Sequence, residues 1–437
     1  MKGQLIAKLS DKSFTMGVIG MGYVGLPLAV TMAKAGFRTY GFDLQESKVN
    51  RINRGENYIG DVTDEELRRV VTDGVFQATT DFSLLRQVDF VAICVPTPLD
   101  THQQPDISYV CSAAQTIARY LHPGMVVVLE STTYPGTTEE QLKPILEESG
   151  LHEGTDFYLG FSPERVDPGN ERFKTANTPK VVGAIGQDAQ EVIVAIYRTI
   201  LRGEVLAVSS PAVAEMTKIL ENTYRNINIG LVNELAMLCH RMHINLWEVI
   251  DAAKTKPFGF QPFYPGPGLG GHCIPLDPYY LSWKAREFGF HTSMIESSMM
   301  VNDHMATYCV TRMAQLLSSR SRKTINGSHI LLLGIAYKQD IDDYRESPAL
   351  RVAEELEREG AILHYYDPYI REFSHRGKHY ITEPELTTEL LEAMDLTVIT
   401  TAHRQVDYSF VQQHAPLIFD TRNATAGVTP RDNIELL

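Results

Sequence analysis

Residues 16–43 constrain the fold of this 437-residue chain more tightly than any other stretch. A short strand-like run, Met16-Gly-Val-Ile, leads into Gly20-Met-Gly22-Tyr-Val-Gly25. An apolar helical pattern follows from Leu26 to Ala35, stopped by Gly36, and a second strand pattern, Arg38 to Phe42, ends in Asp43. Three glycines at this spacing between a strand and a helix have separate steric duties. The first permits the tight turn, the second lets backbone approach a pyrophosphate, and the third lets helix and strand pack closely. The helix N-terminus adds N–H groups that have no partner within the helix, which makes it an anion site. Asp43 falls at about the 20-residue spacing at which a carboxylate reaches the adenosine ribose hydroxyls. The pattern predicts a dinucleotide cradle formed by Gly20, Met21, Gly22, Tyr23, Val24 and Gly25. Asp43 favours NAD over NADP by repelling a 2′-phosphate, while Lys48, about a turn further on, works against that preference.

The alternation of strand and helix patterns continues to about Val208. Asp89 to Val95 reads as a buried strand ended by Pro96-Thr97-Pro98, and Met125 to Glu130 as another. Ser210-Pro211 then offers an N-cap followed by proline at the first helical position. The helical pattern runs through Lys218, Asn222, Arg225, Asn228 and Glu234 to about Met242, long enough to link two domains and to form a dimer surface. After about Lys323 the alternation restarts, with strand patterns at 329–338, 362–367, 396–400 and 417–420 but no glycine fingerprint. The expected fold class is α/β, with two Rossmann-like doubly wound domains joined by a long central helix. The expected boundaries are 1–208 for the dinucleotide domain, 209–322 for the central region and 323–437 for the second Rossmann-like domain. A ligand of that last domain belongs outside the carboxyl ends of its strands, where Lys338, Arg345 and Arg422 fall.

Composition narrows the partners. A net charge of −14 argues against a nucleic-acid surface and means that an anionic ligand must be met by locally placed cations. No apolar run approaches the roughly 20 residues that span a bilayer, and the polar start lacks the apolar core of a signal peptide. Five scattered cysteines read as thiols of a reducing cytoplasm. Cys94, Cys111, Cys239 and Cys309 lie in apolar or helical stretches and read as small core residues. The fifth is different. Cys273 sits within Pro265-Gly-Pro-Gly-Leu-Gly-Gly-His-Cys-Ile-Pro-Leu-Asp-Pro278, where four glycines mark backbone that something approaches closely. A thiolate there serves as a nucleophile or a metal ligand; the alternative is a tight structural turn with a buried thiol. His272 alone makes no chelating pair and no zinc spacing lies nearby, so no metal is expected. Lys218 and Asn222, four apart on one helix, share a face and reach one oxygen; without the cysteine motif the same pair reads as a solvated face.

Together and in order, the Gly20–Gly25 fingerprint, Pro96-Thr-Pro, Glu130-Ser-Thr132-Thr-Tyr-Pro, Ser162-Pro-Glu164-Arg, Lys218-Ile-Leu-Glu-Asn222, Gly270-Gly-His-Cys273 with Asp277, and Asp420-Thr-Arg422 resemble the nucleotide-sugar 6-dehydrogenases. That family comprises UDP-glucose dehydrogenase and bacterial relatives acting on UDP-N-acetylglucosamine or UDP-N-acetylmannosamine. The resemblance implies NAD dependence, two Rossmann-like domains joined by a long helix, a homodimer or higher homo-oligomer, and oxidation of a sugar C6 alcohol to a carboxylate. It places Cys273 as nucleophile, Lys218 and Asn222 as stabilisers of oxyanions, Asp277 and Glu164 as acid–base carboxylates, and Thr132 beside both chemistry and cofactor. It adds Pro96, Thr97 and Arg345 to the cofactor contacts. Glu164, Arg165, Val166, Lys218, Asn222, Arg225, Phe263, Tyr264, Gly270, Lys338 and Arg422 become substrate contacts.

Two departures bear on the sugar. Pro168 stands where UDP-glucose dehydrogenases carry a second glutamate, and 246–271 lacks the arginine they present there, reading Lys254-Thr-Lys-Pro-Phe-Gly-Phe-Gln-Pro-Phe-Tyr-Pro instead. More aromatic surface and no guanidinium suit an acetamido group at C2, and the Lys-Pro-Phe-Gly-Phe segment resembles the UDP-N-acetylglucosamine enzymes of surface-polysaccharide pathways. UDP-N-acetylmannosamine and UDP-glucose are the alternative substrates. Outside the family stand a two-electron β-hydroxyacid-type dehydrogenase, which needs neither Cys273 nor the C-terminal half, and a non-catalytic NAD-binding protein.

Overall fold

The computed structural model describes residues 1–437 apart from Pro168, Gly169, Glu171 and His272, so the Pro168 departure lies outside the described residues. The chain forms two compact units: Met1–Glu221 with Tyr279–Phe290, and Asn222–Pro278 with His291–Leu437. The segment read in the sequence as a central region is divided between them. Its helix, Pro211–Met242, is 32 residues long and belongs to the first unit up to Glu221. Ser210 Oγ accepts from Val213 N at 3.3 Å, the cap that the sequence offered.

In the first unit the strands are β1 (Met16–Ile19), β2 (Thr39–Phe42), β3 (Phe76–Thr79), β4 (Phe90–Ile93), β5 (Val126–Leu129), β6 (Tyr158–Phe161), β7 (Lys180–Ala184) and β8 (Val205–Val208). They form one sheet in the order β3-β2-β1-β4-β5-β6-β7-β8, parallel except that β7 runs against β6. Every residue of β1, β4, β5 and β6 is buried, as helices on both faces of a parallel sheet demand. Alternate residues feed two cores: Val18, Phe90, Val126 and Val128 point to one, Ile19, Val91, Ile93 and Val127 to the other. The polar N-terminus, unremarkable in the sequence, is a helix (Lys2–Ser10) that buries Leu5 and Leu9 in the first of these cores.

The second unit holds β9 (His329–Leu333), β10 (Ile362–Tyr366), β13 (Leu396–Ile399), β14 (Ile418–Asp420) and β15 (Ile434–Leu436) in one parallel sheet, ordered β10-β9-β13-β14-β15. A separate hairpin pairs β11 (Glu372–His375) with β12 (Lys378–Ile381). The first strand of this half ends at Leu333, not at 338. Gly334 has φ +91°, and a Cβ there would lie 2.6 Å from the Thr401 carbonyl, so the chain must leave the sheet at that point. Two of the cysteines also depart from the core reading. Cys94 and Cys309 are buried, whereas Cys111 and Cys239 are only half-buried, on partly outward positions of their helices. Among the described residues no helix is long and apolar enough to cross a membrane.

A buried ion cluster braces the carboxyl end of the first sheet. The reversed direction of β7 puts its first residue, Lys180, at the end where β5 delivers Glu130; the two side chains are 5% and 0% exposed and form a short ion pair. Tyr197 donates to the other Glu130 oxygen at 2.5 Å. Burial alone would lower the Lys180 pKa, but Glu130 and Glu164 (3.6 Å) outweigh it and hold the ammonium above its ordinary value. Lys180→Met leaves Glu130 as an uncompensated buried charge and should cost about 3–5 kcal/mol of unfolding free energy in a denaturant titration. Lys180→Met with Glu130→Met should recover much of that loss. Removing Lys254 from its exposed pair with Asp251 should cost under about 1 kcal/mol.

Candidate active site

The fingerprint glycines occupy the turn between β1 and the helix Gly25–Lys34. Gly20 has φ +94°, and a Cβ on it would sit 2.4 Å from the Cys94 carbonyl; a Cβ on Gly25 would sit 1.8 Å from the Gly20 carbonyl. These two are fixed by the protein's own packing. At Gly22 a Cβ would meet nothing within 4 Å, so this face of the turn is open. No side chain caps the helix, whose first N–H groups are therefore available to a pyrophosphate. Asp43 stands at the end of β2, its Oδ2 accepting from Met21 N at 3.0 Å, with Lys48 Nζ 3.9 Å away. This geometry fits a bound dinucleotide: the reversal of strand order between β1 and β4, which run parallel, opens the crevice, and the open glycine, the uncapped helix and the carboxylate line it. Tyr23 is exposed and Val24 half-buried on the same turn. Thr97 is buried, its carbonyl accepting from the Tyr280 hydroxyl, next to the exposed Pro96. Thr132 is half-buried just beyond β5, where Ser131 Oγ donates to the Val95 carbonyl (2.7 Å) and ties the two loops together.

Beyond β6, Glu164 turns its Oε1 to the backbone N–H groups of Arg165 and Val166, both at 2.8 Å, and its Oε2 toward Lys180. Arg165, expected on the substrate, spends its guanidinium within the protein: it pairs with Glu221 (2.6 and 3.2 Å) and donates to the Pro179 carbonyl. On the central helix Lys218 and Asn222 are 7% and 5% exposed, which excludes the solvated-face reading; Arg225, on the next turn, is exposed.

In the second unit Asn222 Nδ2 donates to Asp277 Oδ2 at 2.5 Å. Asp277 opens the helix Asp277–Ala285, and its own N–H donates to the Cys273 carbonyl at 2.9 Å. One helical residue thus fixes the carboxylate that follows the cysteine by a single turn. The glycines before Cys273 prove to accommodate the protein itself. A Cβ on Gly270 would lie 2.7 Å from Tyr337 Cβ and 2.8 Å from Pro348 Cδ, and a Cβ on Gly266 would lie 2.4 Å from Arg422 Nη1. Gly270, expected at the sugar, is therefore first required by packing. Phe263 meets Tyr224 edge-on at 5.7 Å, and Tyr264 stacks on Trp247 at 5.8 Å.

The cations of this unit are unequal. Arg345 is held by Asp343 in a bidentate pair (2.7 and 2.9 Å), so the expected cofactor contact already has a carboxylate partner in its own loop. Lys338 is half-buried in the loop after β9. Arg422, past the end of β14, donates Nε to the Thr400 carbonyl at 2.9 Å and has no carboxylate at ion-pair distance among the described residues. Burial pushes its guanidinium down to about 10. Sequence reasoning gave no role to Lys180, Glu130, Asn226, Asn233 or Asn302. A signal existed for Asn226 and Asn233, since repeated Asn in the middle of a long helix runs against helix propensity.

Comparison with known proteins places the chain in a family. The UDP-glucose/GDP-mannose dehydrogenase family matches along the chain: its NAD binding domain at residues 14–201, its central domain at 212–304 and its UDP binding domain at 331–427. A UDP-N-acetyl-D-glucosamine 6-dehydrogenase of Pseudomonas aeruginosa is 35% identical over 396 residues, 90% of this chain and 92% of that one. A UDP-N-acetyl-D-mannosamine dehydrogenase of Pyrococcus horikoshii is 34% identical over 93% of this chain and 95% of its own. A solved structure of the UDP-D-ManNAc dehydrogenase from Pyrococcus horikoshii superposes with a TM-score of 0.87 at 31% identity, covering 97% of this chain and 98% of that one. The chain belongs to the UDP-glucose/GDP-mannose dehydrogenase family and is an NAD-dependent UDP-sugar dehydrogenase.

Proposed function

We propose that this enzyme oxidises the C6 alcohol of UDP-N-acetylglucosamine to the uronic acid through a covalent intermediate on Cys273, for surface-polysaccharide synthesis. The observation that carries the covalent reading is the Asn222–Asp277–Cys273 arrangement, which sets a carboxylate one turn from a thiol in a glycine-built loop. NAD supplies the hydride acceptor, and the overall change consumes two molecules per sugar. The alcohol loses a hydride and a proton to become an aldehyde. The Cys273 thiolate adds to that carbonyl, and the thiohemiacetal so formed loses a second hydride and a proton to give a thioester. Water cleaves the thioester, releasing the carboxylate and restoring the thiol. Lys218 and Asn222 donate to the oxygen that carries negative charge at each stage. Asp277 and Glu164 hold and move the protons, Glu164 toward the hydrolytic water. Asp43 takes the ribose hydroxyls, and Arg422 and Lys338 take the diphosphate.

A limiting amount of UDP-sugar should yield two NADH per sugar with no free aldehyde. Cys273→Ser should lose acid formation by orders of magnitude while still binding NAD, because a hydroxyl is a far weaker nucleophile than a thiolate. One NADH per sugar, or an active serine variant, would return the protein to two-electron chemistry.

The acetamido preference is supported by the arginine-free stretch at 246–271 and the aromatic segment Phe258–Tyr264. A pocket shaped for an acetamido group leaves an unpaired polar partner when a hydroxyl replaces it, so UDP-glucose should trail by roughly ten- to a hundredfold in kcat/KM. Side-by-side kinetics with the three UDP-sugars test this. Equal use of UDP-glucose refutes the acetamido reading, and a preference for UDP-N-acetylmannosamine corrects only the epimer.

The functional particle is proposed to be a homodimer or higher oligomer. Met216, Leu220, Tyr224, Leu231, Leu238 and Met242 are exposed along the central helix at four- and seven-residue intervals, an apolar stripe that a second copy of the same helix would cover. Sedimentation velocity should show a dimer or larger species, and Leu220→Glu with Leu231→Glu should shift it toward monomer.

A further inference from the structure

We infer that a relay of buried amides, Asn233, Asn302 and Asn226, positions the Cys273 loop. Between Ala253 and Asp277 the chain has no helix or strand among the described residues, so the shape of the loop must be imposed from outside. The relay grips it on both sides of Cys273. On one side the Gly266 N–H donates to Asn233 Oδ1 at 3.0 Å. Asn233 Nδ2 donates to Asn302 Oδ1 at 2.9 Å, and Asn302 Nδ2 donates to the Asn226 carbonyl at 3.1 Å and to Asn226 Oδ1 at 3.3 Å. Asn226 Nδ2 then donates to the Ile274 carbonyl at 3.1 Å, on the residue directly after the cysteine. Ser298 Oγ adds a second donor to Asn226 Oδ1 at 2.8 Å.

Every bond points the same way, from the Gly266 N–H to the Ile274 C=O, so each amide has one permitted orientation and polarises the next. The three asparagines are no more than 3% exposed, which makes water a poor substitute for any missing partner. Asn222, which holds Asp277, lies one turn from Asn226 on the same helix, so a single helix face sets the nucleophile's loop and its carboxylate together. Asn233, Asn302 and Asn226 are positioning residues. Asn233 and Asn226 bond the loop backbone and Asn302 joins the two, so that together they hold the thiol where the aldehyde forms.

This inference rests on the covalent role proposed for Cys273. Its test uses the full-length enzyme with Asn302→Ala, and with Ser298→Ala as the milder variant should the first fold poorly. Asn302→Ala cuts the relay at a residue remote from the thiol, and Ser298→Ala removes one of the donors to Asn226. The measurements are NADH per limiting UDP-sugar with semicarbazide present to trap aldehyde, the rate of Cys273 alkylation by iodoacetamide, and NAD affinity. The expected result is a kcat lower by on the order of a hundredfold for Asn302→Ala, since a displacement of about 1 Å can cost that much. The NADH ratio should fall below two with trapped aldehyde appearing, the alkylation rate should change and NAD affinity should not. Ser298→Ala should shift the same readouts in the same direction by a smaller factor. A lower melting temperature with a ratio still at two and an unaltered alkylation rate assigns the relay to stability alone and overturns the inference. If the unmodified enzyme itself gives one NADH per sugar, the covalent reading fails and the inference falls with it. A ratio of two in the unmodified enzyme with unaffected variants overturns the inference only.

Discussion

The Cys273 loop of the second unit has no helix or strand of its own among the described residues, and its neighbours are arranged around that fact. Tyr337 and Pro348 fill the space beside Gly270, Arg422 fills the space beside Gly266, and Asn233 and Asn226 take its backbone polar groups. Removing the side chains from Gly266 and Gly270 lets rigid partners press directly on the main chain, and close packing leaves little room for rearrangement. Tyr337 and Arg422 come from the loops at the carboxyl ends of β9 and β14, the edge where a nucleotide binds to such a sheet. The residues that shape the Cys273 loop are thus a next-door neighbour of Lys338 and an arginine at that same edge of the sheet.

The two Rossmann-like halves share a plan and differ at one carboxylate. In each, an aspartate closes the second strand and accepts an N–H from the turn after the first. Asp43 takes Met21 N and Gln45 N and retains acceptor capacity for a ribose. Asp367 takes five donors: Ile335 N and Ala336 N on one oxygen with His403 Nε2, and Tyr369 N and Ile370 N on the other. A carboxylate has about four lone-pair sites, so Asp367 has none left for a sugar hydroxyl. Its pKa lies below the ordinary value even though burial pushes it upward, because His403 and the backbone donors outweigh the burial. The same sequence signal therefore marks a carboxylate with acceptor capacity left over in one half and a structural plug in the other.

How far this could be read in advance follows from the range of each interaction. The fingerprint turn, the strands flanking it and the 32-residue helix were legible because their signals are local: glycine spacing, β-branched runs, a serine–proline start. The overextension of β9 arose because Ile335 and Ala336 are apolar like a strand, while the reason for the break, the Thr401 carbonyl, is 67 residues away. The hairpin β11–β12 and the edge strand β15 are too short, and too weakly alternating, to stand out. Within the candidate site, the residue types were legible and their engagements were not. Nothing near Arg165 in the sequence announces Glu221, and nothing near Glu130 announces Lys180, because both pairings depend on strand order.

Burial also separates the cysteines chemically. The nucleophile is the thiolate, and a thiol that cannot ionise is inert whatever its proximity to an aldehyde. Burial carries Cys309 to about 12. Cys94 goes well above its ordinary value, first through burial and then through the Glu130 carboxylate beside it, an effect that Lys180 only partly offsets. Cys111, less deeply placed, is raised by burial as well. Cys94 follows β4 directly and lies next to the fingerprint turn, its carbonyl against Gly20. Cys273 is only half-buried and lies one turn before the helix Asp277–Ala285. Burial thus works against ionisation at Cys94, Cys111 and Cys309, whereas Cys273 is not sealed in a core as Cys94 and Cys309 are.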